Sequence, residues 1–363
     1  MEGIVLCSNV ILIPALNPDK KLLAYIEELI SAGFKNIIVV DDGSEKEYQV
    51  IFKTLQQYEE VVLLRHARNF GKGRALKTGF NYFLNRWEDD ANVHGIITVD
   101  SDGQHLTSDV VKVSNALDNT EHETLFLGTR NFDYDFVPFK SKFGNKTTSS
   151  VFAFLYGRKL SDTQTGLRGM SKGLVYEYLD LTGERFEYEI NMLMQATRCK
   201  HMIEEVPIET VYVDNNNETH FRPVQDSWKI YKVMLGGFVK YIFSSLSSSL
   251  IDIVAYRIFL SMFIACTTNT QIFLATALAR VLSSMYNFMV NKKMVFGSKG
   301  DIRTQMVKYY VLCVGQMLVS AGAVMLLDYV LGWNKVLEKV IVDTILFFIS
   351  YHIQKVLVFS EEI

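Results

Sequence analysis

Cysteine is scarce in this chain, and no two cysteines are spaced as a pair. The four cysteines are scattered without a Cys-x-x-Cys spacing, so the sequence predicts neither a zinc site nor a disulfide framework. This usage favours a reducing, cytosolic setting for the N-terminal half. No basic leader precedes the first apolar run, and a secretory signal peptide is therefore not expected.

An excess of positive charge is absent as well. The formal net charge is −3 at pH 7, and the first half has no stripe of basic and aromatic residues, so nucleic acid is not expected as a partner. The stretch Gly71-Lys72-Gly73 has Leu76 where a dinucleotide-binding G-x-G-x-x-G loop needs glycine, and no Gly-Lys-Ser/Thr occurs. Dinucleotide-dependent enzymes and P-loop ATPases are thereby disfavoured.

What the sequence does contain is divided between two regions. A chain of 363 residues predicts two domains, because single cores rarely exceed roughly 250–300 residues. Charged residues crowd the N-terminal region, and long apolar runs crowd the C-terminal third. We therefore expect a cytosolic domain over 1–225, an interfacial amphipathic helix over 226–238 that includes Trp228 and Tyr231, and a membrane domain over 239–363.

In the N-terminal region, apolar strand-like runs alternate with helical segments. This alternation predicts a mainly parallel sheet with helices on both faces, in which ligands bind beyond the carboxyl ends of the strands. A polar loop follows each of the first four predicted strands. These loops are Pro14-Ala15-Leu16-Asn17, Asp41-Asp42-Gly43-Ser44, Asn69-Phe70-Gly71-Lys72-Gly73 and Asp100-Ser101-Asp102-Gly103-Gln104.

The fourth loop is the strongest candidate for a metal site. Asp100 and Asp102 could share one hard cation if the backbone bends at Gly103. Such a cation could bridge the oxygens of a diphosphate and stabilise it as it leaves. A polar turn that caps a strand is the alternative for an isolated D-x-D, and the three other loops at the same sheet edge favour the metal site.

Two of these other loops also allow a plain structural interpretation. Asp41 and Asp42 could form a strand-to-helix turn with Ser44 as its N-cap, or they could accept hydrogen bonds from a base or ribose. The Gly71-Lys72-Gly73 stretch opens a helix, so free backbone N–H groups and Lys72 could face a phosphate.

In order and spacing, the four loops together resemble the inverting family 2 glycosyltransferases with the GT-A fold. The resemblance implies a nucleotide-sugar donor and a divalent cation, Mg²⁺ or Mn²⁺. It implies that the nucleoside is held by Pro14, Ala15, Asn17, Asp41 and Asp42. It also implies that the metal and diphosphate are served by Asp100, Asp102 and Gln104.

The sequence from Leu125 to Ile230 is similar to the polyprenyl-phosphate branch of that family, which includes the dolichol-phosphate mannose synthases. The matching residues are Gly128-Thr129-Arg130, Lys140-Ser141-Lys142, Asp162-Thr163-Gln164-Thr165-Gly166, Arg222 and Ser227. A lipid phosphate needs cations and hydroxyls, and arginine suits bidentate phosphate contact. We therefore expect the acceptor phosphate to be bound by Arg130, Lys140, Lys142 and Ser227. A solvated loop is the alternative for the basic residues, and Arg222 is expected to close over the donor diphosphate.

The expected chemistry needs no strong base. A phosphate monoester has a second pKa of about 6, so it is largely ionised near pH 7 and can attack the anomeric carbon directly. Asp162 is the carboxylate that could orient the acceptor, or it is a turn residue before Gly166. The catalytic candidates are therefore Asp100, Asp102 and Asp162. The roles of Glu187 and Glu189, two residues apart, are left open.

Four apolar segments in the C-terminal region are each near the roughly 20 residues that span a bilayer. They cover 239–263, 270–290, 307–331 and 337–358. Val239-Lys240-Tyr241 recurs as Val307-Lys308-Tyr309, and the stretch 291–296 echoes 354–359, which predicts two repeated hairpins. Buried helices of a soluble domain are the alternative. This half resembles the GtrA-like four-helix domain.

Lysine and arginine cluster between the two predicted hairpins, so the positive-inside rule places the catalytic domain and the C-terminus in the cytoplasm. Asp252, Arg257 and Asp328 lie within apolar segments, where they could pair helices or contact lipid phosphate. The predicted fold is thus an α/β GT-A domain, Rossmann-like with a mainly parallel sheet, joined to an all-α membrane domain of four transmembrane helices in two hairpins.

The function predicted from these features is transfer of a hexose to a polyprenyl phosphate such as undecaprenyl phosphate, at the plasma membrane, for cell-envelope glycan modification. UDP-glucose or UDP-N-acetylglucosamine is favoured as the donor, and GDP-mannose is the alternative. An alternative of another class is a lipid-linked-sugar translocase or helper with a sensor domain. Whether the chain forms a homo-oligomer is left open.

Overall fold

The protein is described here by a computed structural model that divides into two compact units, Met1–Met234 and Leu235–Ile363. The described residues are 7–132, 139–209, 223–265 and 267–359, without the side chains of residues 139, 140, 223 and 224. Arg222 and the side chain of Lys140 fall outside this description, so their assigned roles stay predictions.

Seven strands form one sheet in the described part of the first unit. They are β1 (Val10–Ala15), β2 (Ile37–Asp41), β3 (Val61–Arg65), β4 (Gly95–Thr98), β5 (Thr124–Arg130), β6 (Arg168–Ser171) and β7 (Met202–Ile208). Their order across the sheet is β3-β2-β1-β4-β6-β5-β7. Strand β6 is antiparallel to β4 and β5, and the other neighbours are parallel. The predicted mainly parallel sheet is confirmed.

Helices pack on both faces of this sheet because strand side chains alternate between the faces. The helices of the first unit are α1 (Lys21–Ser31), α2 (Gln49–Leu55), α3 (Lys72–Trp87), α4 (Thr107–Asp118), α5 (Phe139–Tyr156), α6 (Lys172–Leu179) and α7 (Glu187–Arg198). Ile11 and Ile13 join one buried cluster with Leu22 and Ile26 of α1. Leu12 points the other way, against α3, where a side-chain carbon at Gly79 would collide with it.

The parallel register brings the polar loops to one edge of the sheet. Ala15, the last residue of β1, is paired with Asp41, and Asp41 is paired with Arg65 at the end of β3. The backbone N–H of Val99, just beyond β4, donates to the carbonyl of Leu12 at 3.0 Å. The loops that follow these strands therefore emerge side by side, as expected.

Strand β1 extends further than the sequence predicts. Pro14 favours an end at Ile13, since proline has no N–H to donate, but β1 continues through Pro14 to Ala15. The extension is tolerated because β4 pairs only with Val10–Leu12, so Pro14 lies where β1 has a single strand neighbour, β2.

The described part of the second unit is helical. Its helices are α8 (Pro223–Met262, which begins in the first unit), α9 (Thr268–Val290), α10 (Ile302–Leu331) and α11 (Lys335–Ile353). A π-helical turn follows α9 at Asn291–Val295, and another follows α11 at Gln354–Val358. Residues 226–238 form part of the continuous helix α8, and their interfacial role stays a prediction.

Three of these helices are long and apolar enough to cross a membrane. The spans are Gln225–Met262, Thr268–Val295 and Ile302–Leu331. Helix α11 is not among them, because Lys335, Glu338, Lys339 and Asp343 concentrate charge in its first half. The sequence predicts four spans, and the fourth stays a prediction.

Two predicted intramembrane carboxylates have partners. Asp252 accepts a hydrogen bond from the Ser283 hydroxyl at 2.8 Å and lies 3.6 Å from the Arg280 guanidinium. Asp328 lies 3.4 Å from the Lys335 ammonium. These contacts favour the helix-pairing interpretation of both carboxylates.

Candidate active site

A cleft of about 820 Å³ opens at the carboxyl edge of the sheet. Residues from the loops after β1, β2, β3 and β4 line it, together with residues from β5, β6, α5 and α7. The predicted site residues that line the cleft are Pro14, Ala15, Asn17, Asp42, Lys72, Asp100, Asp102, Gln104 and Arg130. Asp41 and Asp162 are fully buried and do not line it. Lys142 and Ser227 are not among the lining residues either, so their predicted contacts with the acceptor are not tested.

Lys72 is the central cation of the described cleft. Its ammonium lies 2.7 Å from Oδ1 of Asp100 and 3.0 Å from Oε1 of Glu189. Burial disfavours the charged ammonium, but the two carboxylates outweigh it and raise the pKa of Lys72 above its ordinary value. Burial likewise opposes ionisation of Asp100, and the Lys72 charge overcomes it and holds the pKa of Asp100 well below its usual range. Both groups are therefore charged at neutral pH.

The pKa of the second carboxylate of the D-x-D loop is shifted in the opposite direction. Asp102 Oδ1 accepts a hydrogen bond from the Gln104 backbone N–H at 3.1 Å, across a bend in which Gly103 has a φ of 72°. Burial and the neighbouring Asp100 charge raise the pKa of Asp102. The side-chain oxygens of Asp100, Asp102 and Gln104 are the hard donors that Mg²⁺ and Mn²⁺ prefer. A cation shared by the carboxylates would relieve their repulsion, so the donor set fits a divalent ion.

Asp42 fixes the loop that carries Lys72. Its carboxylate accepts hydrogen bonds from the backbone N–H groups of Phe70 at 3.0 Å and Gly71 at 2.7 Å. Its Oδ1 also lies 2.7 Å from Nδ1 of His66, whose Nε2 lies 2.9 Å from the Thr78 hydroxyl. The expectation that the N–H groups of Gly71-Lys72-Gly73 are free for a phosphate is wrong for Gly71, since the buried Asp42 carboxylate takes its N–H.

Gly71 can only be glycine in this arrangement. Its φ of 109° is strained for other residues, and a side-chain carbon there would collide with the carbonyl oxygen of Glu184. The backbone N–H of Arg74 donates to the same carbonyl at 3.0 Å, and the Arg74 side chain pairs with the Glu184 carboxylate. The start of α3 is therefore fixed by Asp42 on one side and by Glu184 on the other.

Asp41 connects the second loop to the first. Its carboxylate accepts from the Ser44 backbone N–H at 2.7 Å and from Gln49 Nε2 at 3.1 Å. The Ser44 hydroxyl in turn accepts from the Asn17 backbone N–H at 2.9 Å, and Asn17 Oδ1 accepts from the Glu45 N–H at 2.9 Å. Asp41 thus helps to hold the loops after β1 and β2 together, and its predicted direct contact with a nucleoside stays untested.

Asp162 and Arg130 form one unit. The guanidinium donates to both oxygens of the carboxylate, from Nε at 2.6 Å and from Nη2 at 3.1 Å. Because Asp162 is fully buried and Arg130 lines the cleft, the carboxylate holds the guanidinium at the cleft wall. This geometry favours a positioning role for Asp162 over direct contact with an acceptor.

The loop of Asp162 also reaches the D-x-D loop. A side-chain carbon at Gly166 would overlap the carboxylate of Asp100, so that carboxylate packs directly on the glycine. The Thr98 hydroxyl, at the end of β4, donates to the Gly166 carbonyl at 2.9 Å. Gly166 therefore sets the distance between the two loops.

Several residues that line the cleft were missed by the sequence reasoning. They include Arg168, Arg185 and Phe186, whereas Glu189 was singled out without a role. Because α7 is helical, Glu187 and Glu189 point in different directions: Glu187 accepts from the Glu184 and Arg185 N–H groups, and Glu189 faces Lys72. The one signal in the sequence was Arg168, a charged residue that directly follows the Asp162–Leu167 stretch at the start of a buried strand.

The fold and the cleft together define a class of protein. A mainly parallel α/β sheet carries an aspartate pair at its carboxyl edge, and the same chain supplies apolar helices long enough to span a membrane. This is the architecture of a membrane-integrated glycosyltransferase with a GT-A-like catalytic domain.

Comparison with known proteins agrees with this class. Residues 10–179 match glycosyl transferase family 2, and residues 240–359 match the GtrA/DPMS transmembrane domain. The UDP-N-acetylglucosamine–dolichyl-phosphate N-acetylglucosaminyltransferase of Methanococcus voltae is 30% identical over 221 residues, which cover 56% of this chain and 86% of that protein. The protein therefore belongs to glycosyl transferase family 2, is an enzyme, and is integral to a membrane.

The chain is also similar to other glycosyltransferases and to solved structures. The dolichyl-phosphate beta-glucosyltransferase of Saccharomyces cerevisiae is 26% identical over 238 residues, which cover 57% of this chain and 67% of the yeast protein. Among solved structures, glucosyl-3-phosphoglycerate synthase of M. tuberculosis has a TM-score of 0.45 and 17% identity, over 63% of this chain and 80% of that one.

Proposed function

We propose that this enzyme transfers a hexose from a nucleotide sugar to a polyprenyl phosphate at a membrane surface. The observation that carries the proposal is one cleft that joins the carboxylates of Asp100 and Asp102 to the guanidinium of Arg130, in a chain with membrane-spanning helices. The Methanococcus and yeast relatives are both named as transferases that act on dolichyl phosphate, and the name of the Methanococcus protein also gives UDP-N-acetylglucosamine. UDP-N-acetylglucosamine and UDP-glucose are therefore the favoured donors.

The catalytic residues act by alignment and charge. Asp100, Asp102 and Gln104 would hold Mg²⁺ or Mn²⁺, which supplies positive charge to the departing diphosphate. Lys72 already lies against Asp100 and can donate to the same diphosphate. Arg130, kept in place by Asp162, binds the acceptor phosphate and presents it to the anomeric carbon. The ionised phosphate is the nucleophile, so the cleft needs no general base.

The direct test is synthesis of the glycolipid. The full-length protein is purified in detergent and incubated with Mg²⁺, undecaprenyl or dolichyl phosphate, and labelled UDP-glucose, UDP-N-acetylglucosamine or GDP-mannose. Labelled polyprenyl-phosphate hexose with a UDP-sugar is expected, and Asp102→Ala should abolish it while thermal unfolding of the protein stays near wild type. Product from GDP-mannose alone supports the mannose-synthase alternative. Folded protein without any glycolipid product overturns the proposal.

A translocase or helper remains the alternative of another class. It differs in one measurable respect, since it moves a preformed lipid-linked sugar across a bilayer without making one. A flip assay on the full-length protein in liposomes, with the Asp102→Ala variant beside it, distinguishes them. Flipping that survives Asp102→Ala, together with absent synthesis, would favour the translocase.

We also propose that the membrane domain, residues 239–363, consists of four spanning helices in two repeated hairpins. The catalytic domain would then cover residues 1–225, and the interfacial helix residues 226–238. Contacts inside the unit support the repeat. Asn291 Nδ2 donates to Gln354 Oε1 at 2.9 Å, so the matching positions of the two π-helical turns meet each other. The Phe296 and Phe359 rings, which also match, stack with centroids 5.1 Å apart.

Two ring contacts of one hairpin have counterparts at the matching positions of the other. The ring pair Tyr241–Tyr351, at 5.1 Å, corresponds to Tyr309–Phe288, at 5.4 Å, when the two hairpins are exchanged. The pair Phe296–Tyr351, at 5.8 Å, corresponds to Phe359–Phe288, at 5.7 Å. Such pairing is expected of two hairpins related by an approximate two-fold axis. The lysines between the hairpins support the proposed cytoplasmic side for the catalytic domain and the C-terminus.

A further inference from the structure

A second group of possible metal ligands lies outside the cleft. Glu177, in the last turn of α6, Cys199, at the end of α7, and His201, just before β7, each offer one ligand atom, and these atoms lie within 4.8 Å of one another. The His201 Nε2 atom is 3.0 Å from Oε1 and 3.1 Å from Oε2 of Glu177. No other such group was found among the described residues.

The backbone holds two of the three ligands in place. Lys200, between Cys199 and His201, has a φ of 57°, a left-handed conformation that turns the chain sharply. The Cys199 N–H donates to Gln195 at 2.9 Å, and the His201 N–H donates to Ala196 at 2.9 Å. Both side chains are thereby brought to the same side of the turn, toward Glu177. A chelating Cys-x-His pair is formed before any ion arrives.

Burial and the nearby Glu177 raise the pKa of the free Cys199 thiol, so a bound cation would have to displace its proton, and one neighbouring side chain can stabilise the resulting thiolate. The Gln195 amide nitrogen lies 3.2 Å from Cys199 Sγ, where it can donate to a charged sulfur. The Arg158 guanidinium donates to the carbonyls of His201 at 3.3 Å and Ile203 at 2.7 Å, which fixes the strand that follows. Partners of this kind orient metal ligands and stabilise them.

We propose that Glu177, Cys199 and His201 bind Zn²⁺. Zinc takes thiolate, imidazole and carboxylate ligands together at about 2.0–2.3 Å, in a tetrahedron whose corners are roughly 3.3–3.7 Å apart. The separation of His201 and Glu177 is close to that edge length, and rotation of the Cys199 side chain completes the set. Mg²⁺ and Mn²⁺ favour oxygen donors, so the thiolate selects against the ions that suit Asp100 and Asp102.

This site is separate from the catalytic one. Strand β7 runs parallel to β5, and both run in the direction of β4 because β6 is antiparallel to β4 and to β5. His201 precedes the first residue of β7, so it lies at the amino edge of the sheet, opposite the cleft. A bound ion there would connect α6 to the end of α7, the helix that carries Glu189 at its other end.

The test measures zinc on the full-length protein. Protein treated with a chelator in detergent is dialysed against Zn²⁺ with excess Mg²⁺ present, and its zinc content is measured by mass spectrometry. One zinc per chain is expected, with a rise in melting temperature. Co²⁺ in place of zinc should give the thiolate-to-metal charge-transfer band and the visible bands of a tetrahedral site. Cys199→Ser, His201→Gln and Glu177→Gln should each weaken zinc binding by about tenfold or more.

Matched controls exist in the same domain. Cys7→Ser removes a buried thiol elsewhere, and His94→Gln breaks a histidine–carboxylate pair of 2.8 Å with Asp118 that forms no such ligand group. Both should keep the zinc. Zinc binding as tight as that of the wild type in all three site variants, or a wild-type Co²⁺ spectrum without a charge-transfer band, would overturn the proposal. The spectrum decides the matter even if a site variant does not fold.

Discussion

At the scale of single residues, the most informative feature of the cleft is the pair of carboxylates that contact Lys72. Its ammonium lies between Asp100 and Glu189, and these two carboxylates differ in their predicted functions. Asp100 belongs to the proposed cation site, whereas Glu189 was assigned no role from the sequence. We therefore expect Glu189 to keep Lys72 directed into the cleft when Asp100 binds the proposed cation.

Replacing Glu189 should impair catalysis without unfolding the protein. In Glu189→Gln the charged partner of Lys72 is lost, and a hydrogen bond between charged groups is worth roughly 1.5–3 kcal/mol, so kcat/KM should fall about 10- to 100-fold. Glu187→Gln is the matched control, since its amide oxygen can still accept from the Glu184 and Arg185 N–H groups. Steady-state kinetics should show a large loss in the first variant and a small one in the second. Equal losses in both would contradict the assigned role of Glu189.

A second prediction concerns the pair of Arg130 and Asp162. Asp162→Asn keeps the shape but removes the charge that orients the guanidinium, so KM for the polyprenyl phosphate should rise about tenfold while KM for the donor stays near wild type. Arg130→Lys should raise the acceptor KM similarly, because lysine cannot form the bidentate contact. The measurement is initial rate against each substrate separately. A change in donor KM alone would place this pair on the donor side.

At the scale of elements, close contact between loops is what builds the cleft. The loop after Asp162 packs on the D-x-D loop at Gly166, where the missing side chain leaves room for the Asp100 carboxylate. The Gly166 carbonyl also accepts a hydrogen bond from the Thr98 hydroxyl, and alanine at this position would keep that bond while adding a side-chain carbon.

Gly166→Ala should therefore lower activity by displacing the Asp100 carboxylate. We expect a loss of at least about tenfold in kcat and weaker dependence on added Mg²⁺, since misplacement by about 1 Å can cost on the order of 100-fold. Gly144→Ala is the control: it lies in helix α5 with no atom near the added carbon, and alanine favours a helix by roughly 0.5–1 kcal/mol. Full activity in Gly166→Ala would show that Asp100 tolerates displacement.

The two π-helical turns of the membrane unit allow a test of the proposed repeat. Asn291 and Gln354 are buried. Loss of Asn291 leaves the Gln354 carbonyl oxygen without this donor, at about 1–3 kcal/mol, and loss of Gln354 leaves Asn291 Nδ2 with only its bond to Asn287. Asn291→Ala and Gln354→Ala should each lower the unfolding temperature in detergent. The double variant should be less destabilised than the sum of the two.

Thr344→Ala serves as the control for this pair, since the exposed Thr344 hydroxyl donates only to Val340 in its own helix. It should leave the unfolding temperature nearly unchanged. Strictly additive effects of the Asn291 and Gln354 variants would show that the two turns do not depend on each other.

At the scale of the whole molecule, the sequence predicts the sheet and the loops well, and the contacts between loops poorly. The alternation of apolar runs and helices predicts the parallel strands, because it reports directly on burial and period. The same reasoning could not assign a role to Glu189, since its partner Lys72 is far away in sequence and the two meet only when α7 packs beside α3.

Three other residues also have contacts that the sequence could not predict: Asp42, Asp162 and Cys199. The residue type of Asp42 fits a nucleoside contact, but the structure shows that its carboxylate is occupied by the backbone of the Gly71 loop. For Asp162, the motif indicates that the residue belongs to the site, and only the fold shows that its carboxylate accepts hydrogen bonds from Arg130. The spacing of the cysteines excludes a zinc motif along the sequence, and says nothing of ligands that different elements bring together in space.

The Asp42 contacts also affect the conformational entropy that the protein loses when the donor binds. Ordering one residue of a mobile loop costs about 1–2 kcal/mol, and a loop that orders only on binding subtracts that amount from affinity. Here the carboxylate fixes Phe70 and Gly71 in the folded protein, so we expect no cost for ordering these two residues when the donor binds. That part of the binding energy remains available for aligning the reaction.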